Sequence, residues 1–337
     1  MSLILALETS CDDTCAAVVT GDGEMRSNVI SSQGIHDEYG GVVPEIASRH
    51  HLELANAVVD DALRRAQATL DDIDLVAVTQ GPGLVGALLV GVATAKGLAA
   101  ARGLPLAAVD HLQGHVAANF LRVQPDAGGP IMEPPFVCLI ASGGHTLLAR
   151  VEDHEGFEVL GRTLDDAAGE AFDKGARLLG LPFPGGPALE RLARDGDPRA
   201  FSFPVARNLA GLDFSFAGVK TSLLYKVREL GEAAARERAA DLAASYQAAI
   251  VEALAARCEQ ALEQTGVGRL AVGGGVAANG PLRERLATLG AAVGIPPREL
   301  CTDNAAMIAS AARYVPARPF PDYVALDAYA SGERALA

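Results

Sequence analysis

The chain has 337 residues, 50% of them apolar, and its 42 Asp and Glu against 28 Lys and Arg leave a formal charge of −14. That length suits two domains or one large α/β unit and buries roughly 75% of the unfolded surface, so no disulfide scaffold is required. The 36 glycines and 18 prolines are dispersed, which excludes collagen-like and disordered chains, and the acidity argues against strong autonomous binding of nucleic acid, which depends on clustered Lys and Arg.

Residues 3–7 form an apolar run, Glu8-Thr9-Ser10-Cys11-Asp12-Asp13-Thr14 turns, and residues 15–19 are apolar again. Two buried strands joined by a polar turn are expected. Residues 51–66 carry Leu52, Ala55, Val59, Ala62 and Ala66 at helical spacing. Residues 75–78 and 106–109 read as short buried strands, and Gly81-Pro82-Gly83-Leu84-Val85-Gly86 opens a small-residue helix between them. The opening pattern returns at residues 136–151: an apolar run, the turn Ala141-Ser142-Gly143-Gly144-His145-Thr146, and a second apolar run. An internal two-fold repeat follows. A long helix is expected over residues 233–264, with Leu242, Tyr246, Ile250, Leu254, Cys258 and Leu262 four apart and Gly266 as its C-cap. The strand Leu270-Ala271-Val272 then leads into Gly273-Gly274-Gly275-Val276-Ala277-Ala278-Asn279 and a helix from Pro281. Strands alternating with helices, with glycine turns at strand ends, make an α/β fold that binds ligands at those ends.

Cys11, Cys15, Cys138, Cys258 and Cys301 form no CxxC pair, which fits a reducing, cytoplasmic compartment. The N-terminus lacks a basic region and meets Glu8 too early for a signal peptide. The most apolar stretch, residues 84–95, falls short of the ~20 residues a membrane span needs. Segment 188–238 holds nine Lys and Arg against seven Asp and Glu, so the remaining chain carries the whole acidic excess.

His111 and His115 stand four apart, and on a helix they share a face and can ligate one cation. Leu112 occupies the position where an HExxH protease needs its glutamate. Asp303, in Cys301-Thr302-Asp303-Asn304, is the best-placed third ligand, with a plain helix N-cap as its ordinary alternative. Ser142-Gly143-Gly144 and Gly273-Gly274-Gly275 follow apolar strands, where backbone N–H groups can meet a phosphate. Neither is a P-loop, and GxGxxG is absent from the end of the first strand. Asp173 offers a ribose hydrogen bond or a helical ion pair with Arg177. Cys11 is a conceivable nucleophile, and a small buried thiol is its ordinary role.

These motifs, with Tyr39-Gly40-Gly41-Val42-Val43-Pro44-Glu45, Asp165-Asp166-Ala167-Ala168-Gly169-Glu170-Ala171-Phe172-Asp173-Lys174 and Pro184-Gly185-Gly186-Pro187, stand in one order from about residue 3 to 308. Together they resemble the tRNA threonylcarbamoyladenosine synthase family, the TsaD (YgjD, Gcp) proteins formerly called O-sialoglycoprotein endopeptidases. The resemblance implies an actin/hexokinase/Hsp70-like (ASKHA) α/β fold with internally repeated mixed sheets in two lobes and a ligand cleft between them. On that pattern residues 1–115, completed by 305–330, form the first lobe, and residues 116–304 form the second, with a basic insertion near 188–238. The implied reaction transfers threonylcarbamoyl from threonylcarbamoyl-AMP to the exocyclic amine of adenosine-37 in tRNAs reading ANN codons, releasing AMP.

Carried over by motif, His111, His115 and Asp303 hold one divalent metal, iron or zinc, as the catalytic Lewis acid. Ile140, Ala141, Ser142, Gly143, Gly144, Asp173, Gly186 and Asn279 hold the adenylate, or ATP or AMP, and Glu190 its ribose. Asp12 is a guess for the general base. Family partners are a TsaB-like paralogue and a TsaE-like ATPase. A tRNA face is expected on segment 188–238, at Arg191, Arg194, Arg207, Lys220 and Lys226. The resemblance departs at Asp110, where bacterial members commonly carry a histidine, and in the tail Pro316-Ala317-Arg318-Pro319-Phe320-Pro321, which replaces an RPRWPL-like ending. The alternatives are an ATP-dependent small-molecule kinase of the same fold, a metalloendopeptidase, and a nucleotide-dependent scaffold.

Overall fold

The computed structural model describes residues 2–123, 132–206 and 209–330. Within them the chain forms two compact units: the first covers residues up to 133, then 154–156 and 303 onward, and the second covers 134–153 and 157–302. The first unit contains β1 (Leu3–Glu8), β2 (Asp13–Thr20), β3 (Met25–Ser32), α1 (Pro44–Arg65), β4 (Leu75–Gly81), α2 (Val85–Arg102), β5 (Leu106–Asp110) and α3 (His111–Ala117). The second contains β6 (Phe136–Ala141), β7 (Thr146–Val151), β8 (Glu158–Arg162), α4 (Ala168–Leu178), α5 (Gly185–Ala193), α6 (Ala217–Glu237), α7 (Ala239–Thr265), β9 (Arg269–Gly273), α8 (Gly280–Ala287) and β10 (Ala292–Gly294). The chain then returns to the first unit with α9 (Ala305–Ala312).

Each unit is built on a five-stranded mixed sheet, ordered β3-β2-β1-β4-β5 in the first and β8-β7-β6-β9-β10 in the second. In both, the first three strands run antiparallel and the last two join in parallel. The repeat read from the two polar turns is therefore a repeat of topology. β1 and β6 are the central strands, buried along nearly their whole length, which is why both read as unbroken apolar runs and not as alternations. The first core gathers Leu5, Leu7, Val18, Val76, Val78, Val92 and Leu106, and the second Val137, Leu139, Phe214, Phe216, Leu242, Tyr246 and Leu270.

Several boundaries move from the sequence expectation. α1 starts at Pro44, seven residues before His51, because a proline whose missing N–H costs nothing at a first turn begins it. The helix expected over 233–264 starts instead at Ala239, after Arg238 leaves helical geometry, and ends on Gly266 at φ 67° as expected. α6 is itself two helices joined at Gly231, whose φ of 77° breaks the α pattern. The apolar stretch at 84–95 belongs to the 18-residue helix α2, which carries Lys96 and Arg102 and packs against α1 and β4. Lys96 donates to the carbonyls of Val324 and Leu326.

Beyond residue 115, the first unit also takes in the described residues 116–123 and 132–133. Ser310 Oγ donates to the Ala117 carbonyl at 2.8 Å, Arg122 N donates to Gly23 O at 2.8 Å, and Gln113 Nε2 holds the Glu155 carbonyl at 2.8 Å. His154 stacks on Tyr314 at 4.5 Å. These bonds tie residues 116–123 and 154–156 to the sheet that carries α3. The divergent tail has a defined partner too: Arg318 and Leu106 exchange two backbone hydrogen bonds of 2.9 Å at the edge of β5.

Candidate metal centre and nucleotide-binding loops

β5 ends at Asp110, and one of its carboxylate oxygens accepts from the N–H groups of Leu112 at 2.9 Å and Gln113 at 3.1 Å. That N-cap starts α3 at once, so His111 and His115 sit one turn apart on a short helix at a parallel strand end. Gly114 lets α3 lie against α9: a Cβ there would come within 2.7 Å of Ile308 Cδ1. At the start of α9 the cap is Asn304, whose side chain accepts from Met307 N at 2.9 Å. The capping alternative for Asp303 is thereby taken by its neighbour. Asp303 Oδ1 lies 3.6 Å from His111 Nε2 and 3.4 Å from His115 Nε2.

Among the described residues, His111, His115 and Asp303 are the group of three whose ligand atoms lie within 4.8 Å of one another, in the geometry to hold a metal. His115 is fully buried and neither of its ring nitrogens has a hydrogen-bond partner. An imidazole so placed costs about 1–3 kcal/mol unless something occupies its lone pair, and a cation would do so. The donor set of two imidazoles and one carboxylate fits a first-row divalent metal.

The sequence reading missed Glu8. Fully buried at the end of β1, it takes His111 Nδ1 at 3.0 Å, Thr79 Oγ1 at 2.6 Å and the Ser10 N–H. A carboxylate on Nδ1 keeps the proton there and turns the Nε2 lone pair toward Asp303. Burial opposes charge on His111, yet Asp303 and Glu8 together lift its pKa to about 9 in the metal-free protein. Burial would raise Glu8, but the His111 charge holds it below the ordinary carboxylate range. The signal for Glu8 was an acid closing an apolar strand, and only the β1–β4–β5 order sets it beside the histidines.

Asp12 lies in the β1–β2 turn, outside that trio. Its neighbour Asp13 is pushed up to about 7 by burial, with the Asp303, Asp12 and Glu8 charges adding to the effect. The acids of this turn therefore make a negative field suited to a cation. Burial drives the Cys11 thiol far up, which removes it as a thiolate nucleophile. The turn is held by His51, whose Nε2 meets the Cys11 carbonyl at 2.9 Å and whose Nδ1 meets Thr14 Oγ1 at 2.8 Å. The glycines of segment 81–86 serve this packing: a Cβ at Gly83 would lie 2.6 Å from the Ser10 carbonyl.

In the second unit, Ile140 and Ala141 close β6, and Ser142 N donates to His145 O at 2.8 Å while Ser142 Oγ accepts from His145 N at 3.1 Å. Gly143 and Gly144 have open space where a Cβ would stand. Gly274, at φ 88°, passes so close to β6 that a Cβ would meet the Ala141 carbonyl at 2.3 Å. The two glycine loops expected to serve a nucleotide therefore lie side by side.

Asp173 accepts from Gly185 N at 2.8 Å and Gly186 N at 3.2 Å, capping α5, and the Arg177 charge acts on the same carboxyl. Burial raises its pKa against those two bonds. Asn279 caps α8 through Leu282 N at 3.0 Å and donates to Glu190 at 3.1 Å and Gln247 at 2.8 Å. Glu190 and Asn279, expected separately, are thus bonded to each other, and the buried amide of Gln247 is an addition that its α7 neighbours concealed. Asp165 holds the start of α6, accepting from Ser215 Oγ at 2.5 Å, Phe216 N at 2.7 Å and Ala217 N at 3.2 Å.

The basic residues of segment 188–238 are largely engaged. Lys220 pairs with Asp166 at 2.6 Å, Lys226 with Glu229 at 2.6 Å and Arg194 with Glu190 at 3.7 Å. Arg207 lies outside the described residues.

Among solved structures, this chain is similar to T. kodakarensis HypF, with TM-score 0.61, 15% identity, and coverage of 92% of this chain and 47% of that one. It is also similar to component A of the Acidaminococcus fermentans (R)-2-hydroxyglutaryl-CoA dehydratase, with TM-score 0.54, 14% identity, and coverage of 93% and 96%. The fold is accordingly of the actin/hexokinase/Hsp70 type. A tRNA N6-adenosine threonylcarbamoyltransferase of Symbiobacterium thermophilum is 53% identical over 318 residues, 93% of this chain and 91% of the relative. One from Clostridium perfringens is 50% identical over 318 residues, 93% and 92%. The family model described as TsaD, tRNA N6-adenosine threonylcarbamoyltransferase, matches residues 24–310. The chain belongs to the TsaD family of tRNA N6-adenosine threonylcarbamoyltransferases.

Proposed function

We propose that this chain transfers threonylcarbamoyl from threonylcarbamoyl-AMP to the exocyclic amine of adenosine-37 in tRNAs reading ANN codons and releases AMP. Family membership supports the reaction, and the observation that carries the site is His115, fully buried, with no hydrogen bond at either ring nitrogen and Asp303 Oδ1 3.4 Å from Nε2. His111, His115 and Asp303 would hold the metal, iron or zinc, which when bound supplies Lewis-acid polarisation of a carbonyl or phosphoryl oxygen.

The chain's own groups do the rest. Glu8 keeps the proton of His111 on Nδ1, and Asn304 caps α9 so that Asp303 is available to the histidines. Gly143 and Gly144, with open space where a Cβ would stand, leave room beside this loop for an adenylate phosphate. Asp173, Glu190 and Asn279 form hydrogen-bonded walls fit for ribose and base, with Asp173 acting through the oxygen that does not cap α5. A TsaB-like paralogue, a TsaE-like ATPase and the cytoplasm complete the setting, in keeping with five cysteines that are all free thiols.

The test incubates the protein with threonylcarbamoyl-adenylate, unmodified tRNA and those two partners, then digests the RNA. Threonylcarbamoyladenosine at position 37 with one AMP released per transfer is expected. Unmodified adenosine with every partner set would refute the reading, and ADP release from ATP would favour the kinase.

A further inference from the structure

We propose that Tyr329 is a positioning residue for the metal-binding helix, acting through Asp110. The inference rests on the reading of His111, His115 and Asp303 as metal ligands and extends it to a part of the chain where the family resemblance had ended. Asp110 uses one carboxylate oxygen to cap α3; the other accepts from the Tyr329 hydroxyl at 2.6 Å. The Gly81 carbonyl lies 2.8 Å from the same hydroxyl. A hydroxyl has one proton, and the nearer, charged acceptor takes it. Asp110 is thus held at both oxygens, and α3 starts from a carboxylate that cannot swing away.

The tail is built into this place. Tyr329 N donates to Gln80 O at 3.2 Å, Gln80 Nε2 donates to Asp327 O at 2.7 Å, and Gly83 N donates to Ala330 O at 2.8 Å. Residue 81 must be glycine for the strap to lie there, because a Cβ would come within 2.4 Å of the Tyr329 carbonyl and 2.8 Å of its ring. With this strap, the start of α3 is fixed from the β4 side, and Gly114 fixes its middle against α9. His111 is the residue next to Asp110, so rotation of the cap moves the first imidazole directly. Groups that orient a metal ligand from outside are commonly worth ten- to hundredfold in metal affinity.

The experiment measures Zn²⁺ affinity by chelator competition and the visible absorption of the Co²⁺-loaded protein, on the full chain, for wild type, Tyr329→Phe, Asp110→Asn, the double variant and Gly81→Ala. Phenylalanine keeps the ring against Gly81 and removes only the hydroxyl, while Gly81→Ala displaces the strap and leaves both partners intact. Expected are about tenfold weaker Zn²⁺ binding and an altered Co²⁺ spectrum in Tyr329→Phe and Gly81→Ala, with the double variant no weaker than Asp110→Asn alone. A purely structural role would lower the unfolding midpoint of the metal-free protein and leave Zn²⁺ affinity unchanged, which overturns the inference. Full additivity of Tyr329→Phe and Asp110→Asn also overturns it. If the wild type bound no metal, or His111→Ala bound it equally well, the metal reading itself would fall and this inference with it.

Discussion

Glu8→Gln is the sharpest test of how the metal centre is tuned, because it removes one charge and almost no volume. In the metal-free protein His111 has its pKa lifted from 6.5 to about 9. The sign follows: this ion pair contributes stability that is fully present below pH 6.5 and is lost as pH rises through about 9. Metal must therefore displace a proton at neutral pH. With a gap of about two units at pH 7, that competition weakens apparent binding roughly a hundredfold, about 3 kcal/mol, relative to pH above 9. Removing the Glu8 charge has two opposed effects. It weakens the charge-assisted bond that orients His111, at about 1.5–3 kcal/mol, or ten- to hundredfold in metal affinity. It also drops the His111 pKa toward 6.5 and relieves the proton competition. The loss should then be largest above pH 9 and shrink, or nearly vanish, near pH 7. Zn²⁺ affinity by chelator competition between pH 6 and 10, with the His111 pKa followed by NMR in the metal-free protein, measures both arms. A wild-type-to-variant ratio independent of pH, or an unmoved His111 pKa, would refute the reasoning.

Other outcomes follow from the same geometry. Asp13 has its pKa raised by burial to about 7, so it opposes folding by an amount that builds up from about pH 4 and is complete above about pH 7; Asp13→Asn should stabilise the metal-free protein at pH 8 by on the order of 4 kcal/mol and hardly at all at pH 4. Urea melts at the two pH values check this, and equal gains at both would contradict it. Asp165→Ala removes three hydrogen bonds at the start of α6 and should cost about 1–2 kcal/mol of stability while sparing AMP affinity, read by urea melts and calorimetry. Asn279→Ala removes the α8 cap and strips Glu190 and Gln247 of a donor; AMP binding should weaken about tenfold or more alongside a loss of about 1–3 kcal/mol in stability.

Local chemistry was legible in the sequence wherever it depends on neighbours along the chain. The two strand–turn–strand units, the HxxxH face of α3 and the Gly266 cap need only backbone periodicity and one residue's conformational freedom. Their outcome could be read because no distant contact overrides it. Asp173 shows where such reading stops. Its sequence neighbours offered Arg177, and the fold added the α5 amides of Gly185 and Gly186, 12 and 13 residues further on. Glu8 shows the same limit: its role exists only because the strand order sets β1 near β5, 103 residues along the chain from His111.

The amino-acid sequence by itself determined the α/β class, the repeat and the identities of the three metal-ligating candidates. Those features are carried by residue kind and spacing, and the apolar runs of β1 and β6 are buried along nearly their whole length. Only the tertiary structure decided that Asn304 caps α9 in place of Asp303, that Glu190 and Asn279 share one hydrogen-bond network, and that a divergent tail returns Tyr329 to Asp110. Each of those is a choice among polar partners far apart in the chain. Which partner wins depends on burial and distance, and folding alone supplies both.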